Sequence, residues 1–309
     1  ILLLLALHIT TAQTSSKYVA VTMDDLPLSI AARVDNAELD RVTTLLLKQI
    51  AEARTPVTAF VNENKLEVNG KRDPQRVATL KRWLDAGIAL GNHTYAHKSQ
   101  NRVPVPEAKE DIVKGMRSIH ELYAARGERP RWFRHPFLQT GRDSLTRATL
   151  TAFLDSLGYR IAPVTLDNAD WLFASAYDKA VAANDSAGMH AVAAEYLPYI
   201  MAKARYYAWM SDTLYKRQIP QILLLHANRL NGDHYAALCA EFRKEGYTFI
   251  TLDEAMKDEV YRQYDTFFGG GGISWLERWA KTRGVTREFF AKEVPVPMSI
   301  KERAGIYEE

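Results

Sequence analysis

Two acidic residues stand side by side at Asp24-Asp25, and two histidines stand four apart in His93-Thr94-Tyr95-Ala96-His97. Two imidazoles and one carboxylate make a three-ligand site for a divalent ion, with positions left open for water. The i, i+4 spacing would present both rings on one side of a helical turn. The carboxylate must come from elsewhere in the chain, and the Asp pair supplies a candidate. Adjacent residues on a regular strand face opposite ways. Both can serve one site only where the strand ends or bends, and Pro27 fits such a break. The plainer alternative for His93 and His97 is a satisfied surface pair. Zinc suits this donor set best, and Co2+, Ni2+ or Mn2+ suit it too. Other residues able to do chemistry are Arg134, Asp167, Asp170 with Trp171, and His226.

The elements that must position these groups read as alternating strands and helices. Seven short β-rich runs recur: Tyr18–Met23, Val57–Val61, Ile88–Gly91, Arg131–Arg134, Arg160–Thr165, Gln221–Leu225 and Tyr247–Thr251. Helical stretches separate them. Asp73-Pro74 offers an N-cap and first-turn proline, with Gly87 past the end. Asp143 or Ser144 opens the next helix and Gly158 closes it; Asp233 opens another and Gly246 closes it. Ile112, Met116, Ile119 and Tyr123 form one apolar stripe within residues 107–127. Repeated strand–helix alternation predicts a parallel sheet with helices outside. The first strand is not followed by a glycine-rich dinucleotide turn, so the pattern favours an α/β fold of distorted (β/α)7 barrel type over a Rossmann sheet. In such barrels function sits at the C-terminal strand ends. Asp24-Asp25, Asn62-Glu63-Asn64, His93 and His97, Arg134, Asp167 and Asp170, and His226 all fall there.

Between the fifth and sixth runs, residues 174–215 read as a helical insertion of two helices. Gly269–Gly272 is a hinge or tight turn and not a phosphate loop, because no Gly-Lys-Ser/Thr follows. Trp275 and Trp279 share one face of a short helix and are expected to pack in the core or a lid. The chain has 309 residues, 47% hydrophobic and 25% charged, an ordinary globular balance. Forty basic and 37 acidic residues leave +3, which gives no reason to expect nucleic acid as a partner. Cys239 is the single cysteine, so an intrachain disulfide is impossible. Ile1–Ile9 is an apolar run too short to span a bilayer. With Thr10-Thr11-Ala12-Gln13 it reads as the remnant of a secretory signal cleaved near Ala12. A secreted or periplasmic protein is therefore expected, with residues 1–12 removed, a catalytic domain over 17–258, and an extension over 259–309.

Five short motifs in order resemble the polysaccharide deacetylase family, the NodB-homology carbohydrate esterases of family 4. They are Thr22-Met23-Asp24-Asp25-Leu26-Pro27, His93-Thr94-Tyr95-Ala96-His97, Arg134-His135-Pro136-Phe137, Asp167-Asn168-Ala169-Asp170-Trp171 and Leu223-Leu224-Leu225-His226. The resemblance spans about residues 17–256. It implies Asp25, His93 and His97 as metal ligands, Asp24 as catalytic base and His226 as general acid. It implies that Arg134 pairs with Asp24, that Asp170 orients His226, and that the Phe137 N–H helps hold an oxyanion. Asp167 is the alternative partner for His226. Leu26 and Leu138 stand where the family often has glycine, and both the insertion and the extension lie outside the minimal domain.

These roles fit removal of N-acetyl groups from an amino-sugar polymer, chitin-like or peptidoglycan. Asp24, beside a cation and Arg134, is expected to have a depressed pKa. Phe137 and Trp171 suit an acyl pocket or sugar stacking, with core packing the alternative for Trp171. Two other readings remain at this stage. The same site would serve an O-acetyl xylan esterase or a small-amide amidohydrolase, and the scaffold alone would serve a non-catalytic carbohydrate-binding protein.

Overall fold

The computed structural model describes residues 16–307. The leader expected over residues 1–12 lies outside them. Seven parallel strands form the main sheet: β1 (Lys17–Leu26), β2 (Val57–Val61), β3 (Ala89–Asn92), β4 (Trp132–Phe133), β5 (Arg160–Ile161), β6 (Gln221–His226) and β7 (Tyr247–Phe249). Each overlaps one of the seven runs read from the sequence, and the fifth is shorter than expected, with only Arg160–Ile161 of residues 160–165 in the strand. Val19, Ala20, Val21 and Met23 of β1 are all buried, so both faces of the strand are covered. That is why the run is continuously apolar instead of alternating.

The sheet order is β5-β4-β3-β2-β1-β6. Beyond β5 the chain continues to Leu166, which bridges Leu223 of β6 and so links the two ends of the sheet. β7 does not take a place in this ring. It pairs with Lys17–Val19 at the start of β1, before β2 engages at Val21. The barrel is distorted in this definite sense.

Eight helices alternate with these strands as far as β7. They are α1 (Asn36–Ala53), α2 (Pro74–Asp85), α3 (Val105–Lys114), α4 (Arg117–Ala124), α5 (Ser144–Ser156), α6 (Asp170–Ala182), α7 (Ser186–Tyr215) and α8 (Arg229–Lys244). The Asp73 side chain caps α2 by accepting from the N–H groups of Gln75 and Arg76, with Pro74 in its first turn. Asp143 caps α5 in the same way through Thr146. The start expected at Asp233 is misplaced. Asn228 caps α8 by accepting from the Asn231 N–H, and Asp233 lies inside the helix. The stripe within 107–127 belongs to two helices, broken at Gly115-Met116. Residues 174–215 lie mostly in α6 and α7, and α6 begins earlier, at Asp170.

The chain after β7 packs back on the barrel. The Trp275 N–H donates to the Val164 carbonyl at 2.7 Å, and the Ser274 hydroxyl to the Thr165 carbonyl at 2.7 Å. Trp275, Leu276, Trp279 and Ile300 join the main core. No helix among the described residues is long and apolar enough to cross a membrane.

Candidate active site

Asp24 and Asp25 sit at the C-terminal end of β1, and the local backbone explains how both face one site. Met23 pairs with Ala59 and Leu26 with Val61, so β1 spends three steps where β2 spends two. This β-bulge falls on the Asp pair, and Asp25 takes φ 71°. A bulge re-aims a side chain that a regular strand would turn away.

His93 follows β3 directly. The expected helical turn is absent: residues 93–99 form a bent loop. Thr94 and His97 take positive φ, 68° and 53°. The Thr94 N–H donates to Asn92 Oδ1 at 2.7 Å, and the His97 N–H donates to Thr94 Oγ1 at 3.0 Å. These side-chain bonds substitute for a helical ladder. The bend still brings the two imidazoles to a centroid distance of 4.7 Å.

Asp25 Oδ1 lies 3.9 Å from Nε2 of both His93 and His97. One ligand atom from each of the three residues falls within 4.8 Å of the others. Asp25 Oδ1 is buried and has no hydrogen-bond partner. Burial pushes both imidazoles down to about 3, so they are neutral at ordinary pH. His93 Nδ1 contacts the Arg134 carbonyl at 2.8 Å, which fixes the proton on Nδ1 and leaves Nε2 free to ligate. The orphaned oxygen and the two neutral rings fit a divalent cation.

Asp24 Oδ2 lies 3.6 Å from His93 Nε2 and 3.8 Å from Arg134 Nη1. Arg134 is fully buried, donates to Thr22 Oγ1 at 2.9 Å and stacks over the Phe60 ring. The expectation of a depressed Asp24 pKa is not met by the chain's own groups. Burial raises it and outweighs the opposing pull of Arg134. Asp25 goes the other way. Burial works to raise it, but Lys65 and His97 together hold it well below the usual carboxylate range.

His226 ends β6. Its Nδ1 lies 2.6 Å from Asp170 Oδ1, and its N–H donates to Asp170 Oδ2 at 2.8 Å. Asn231 also donates to Asp170 Oδ2, at 3.1 Å. Burial opposes protonation of the ring, but Asp170 outweighs it and raises the pKa to about 9. Asp167 makes no such contact. Its carboxylate accepts from the Asn168 N–H, and burial lifts it to about 6.

Asp24, Asp25, His93, His97, Asp167 and His226 all open on one cavity of about 1190 Å³. Phe137 and Trp171 also line it and are 53% and 40% exposed, so Trp171 is not a core residue. The Phe137 ring lies 4.4 Å from that of His97.

Sequence reasoning missed Lys65, whose Nζ is 3.0 Å from Asp25 Oδ2. It stands one residue past the Asn62-Glu63-Asn64 group at the end of β2, so the strand-end rule would have reached it. Asn62 and Glu63 have supporting roles. Asn62 donates to the His93 carbonyl at 2.6 Å, and Glu63 accepts from Ser118. The glycine run was also missed as a site element: Gly270, Gly271 and Gly272 line the cavity.

A family model described as polysaccharide deacetylase matches residues 11–160. A chitin deacetylase from Colletotrichum lindemuthianum is 28% identical over 162 residues, 51% of this chain. The chain spans about half the length of that relative, 54%. Among solved structures, a family 4 carbohydrate esterase from Streptomyces lividans in complex with acetate aligns over 78% of this chain and 97% of its own. The TM-score is 0.49 at 17% identity. A family 4 pseudoenzyme from Bacillus anthracis aligns over 79% of this chain and 66% of its own, with a TM-score of 0.48 at 16% identity. The five ordered motifs converge on one cavity and the family match covers three of them, so over residues 11–160 the chain is similar to the polysaccharide deacetylase family, the NodB-homology carbohydrate esterases of family 4.

Proposed function

We propose that the protein is a metal-dependent hydrolase that removes N-acetyl groups from an amino-sugar polymer. The observation that carries this reading is the placement of a base, an acid and a three-ligand cation site around one cavity. Asp25, His93 and His97 would hold the ion. When bound, it supplies an acidified water and a Lewis acid for the acyl oxygen. Asp24, held by Arg134, takes the proton of the attacking water. The backbone N–H of Phe137 receives charge developing on the acyl oxygen. His226, protonated through Asp170, delivers a proton to the departing nitrogen. An amine leaves poorly without one, so a strongly supported acid favours amide over ester hydrolysis. Phe137 and Trp171 present exposed aromatic faces suited to an acetyl methyl or a sugar ring.

The reading extends to a site of action outside the cytoplasm, which the leader-like run Ile1–Ile9 supports. N-terminal sequencing of secreted protein tests this, with Gln13 expected as the first residue. The activity is tested by acetate release from N-acetylated chitooligosaccharides, peptidoglycan and acetylxylan in parallel. Release from an amino-sugar substrate is expected to exceed release from xylan. Efficient release from xylan alone would replace this reading with O-acetyl esterase activity.

A further inference from the structure

Residues 137 and 138 both take left-handed backbone angles, φ 53° and 54°, though neither is glycine. Such a turn persists only where its surroundings hold it. The holding groups come from the chain beyond β7. Arg278 is buried, and its Nη2 donates to the Leu138 carbonyl. Its Nη1 donates to Thr140 Oγ1 at 3.2 Å, and its guanidinium stacks 4.3 Å from the Trp275 ring centroid. Gln139 Nε2 donates to the Gly270 carbonyl at 2.9 Å. Gly272 approaches so closely that a Cβ there would collide with the Phe137 carbonyl oxygen. Gly270, Gly271 and Gly272 wall the cavity.

We propose that the segment from Gly269 to Arg278 is a working part of the active site, with Arg278 as a positioning residue that holds the Phe137–Leu138 turn. This rests on the deacetylase reading for its kinetic consequence but not for its structural one. Arg278 contacts no reacting group and acts through the peptide that carries the Phe137 N–H. Lysine cannot reproduce its fork, because a single ammonium lacks the planar pair of donors and the stacking face. Within the run it is Gly272 that the close backbone approach to Phe137 requires.

The test compares wild type, Arg278→Lys and Gly272→Ala in the full chain. Hydrogen exchange of the peptide covering residues 134–141 should accelerate at least tenfold in both variants, while β1 keeps its protection. In a deacetylation assay kcat should fall roughly tenfold or more with KM little changed, since the lost interaction acts on the transition state. Zinc affinity should not move. Unchanged exchange over 134–141 in a folded variant overturns the proposal, whatever the activity. Altered exchange with unchanged kcat in an active enzyme also overturns it, leaving Arg278 a purely structural residue. A wild type that releases no acetate counts against the deacetylase reading alone, and the exchange result still decides the clamp. If Arg278→Lys does not fold, Gly272→Ala carries the test.

Discussion

Nδ1 of His226 lies 2.6 Å from Oδ1 of Asp170, a residue whose other oxygen accepts the N–H of His226 itself. The pair raises the imidazole to about 9 from an ordinary 6.5. It therefore adds stability that is fully present below about pH 6.5 and is lost as pH rises through about 9. Activity should fall along the same alkaline limb. In Asp170→Asn that limb should move down toward about 6.5, and kcat at neutral pH should drop about a hundredfold or more. A pH–rate profile of the two proteins checks this. An alkaline limb unmoved by Asp170→Asn would contradict the role given to the pair.

The two aspartates should separate by phenotype. Asp24→Asn should retain the cation and lose roughly 10²- to 10⁴-fold in kcat. Asp25→Asn should lose cation affinity itself, because it removes the charged member of the ligand set. Isothermal titration with zinc, followed by acetate release, distinguishes them. Equal loss of affinity in both variants would mean that Asp24 also ligates.

Lys65 neutralises a carboxylate that faces the cation site, 3.0 Å from Asp25 Oδ2. Lys65→Gln keeps a donor and removes the charge. Zinc affinity should tighten by about tenfold, the size of a unit charge acting on a dication across about 6 Å of well-screened space. Competition with a chromophoric chelator reads it. Weaker binding in Lys65→Gln would show that orienting Asp25 matters more than charge.

Gly115 ends α3 beneath the His93–His97 loop. A Cβ there would lie 2.6 Å from Asn92 Oδ1 and 2.6 Å from the Thr94 carbonyl carbon. Gly115→Ala should lower stability by about 1–3 kcal/mol through overpacking. It should also weaken zinc binding, because Asn92 shapes the loop. Thermal melts with and without zinc check both, and a zinc-induced rise in Tm equal to that of wild type would leave the loop unaffected.

Much of this molecule was legible because its physics is periodic. The central strands β1, β2 and β6 are rich in buried apolar residues, and the helix starts at Asp73 and Asp143 follow from side-chain capping. Asp24, Asp25, His93, His97 and His226 could be collected at one barrel end before any geometry was known. What stayed hidden depends on backbone detail and distant contacts. Nothing in His-x-x-x-His separates a helical turn from a loop held by Asn92 and Thr94. The Asp24 pKa depends on a burial that proximity to Arg134 does not reveal. The Asn228 cap was overlooked because Asp233 offered an equally good capping residue five positions later. Arg278 and Gly272 lie more than 130 residues from the turn they meet, and no local pattern announces such a contact.

The most direct test of the deacetylase reading is acetate release from acetylated chitooligosaccharides by chelator-stripped protein, before and after zinc is restored, beside a matched Asp24→Asn variant. Acetate is expected only from the restored wild type. Release that is indifferent to metal or survives in Asp24→Asn would contradict the mechanism. Failure to bind zinc at all would contradict the Asp25, His93 and His97 site.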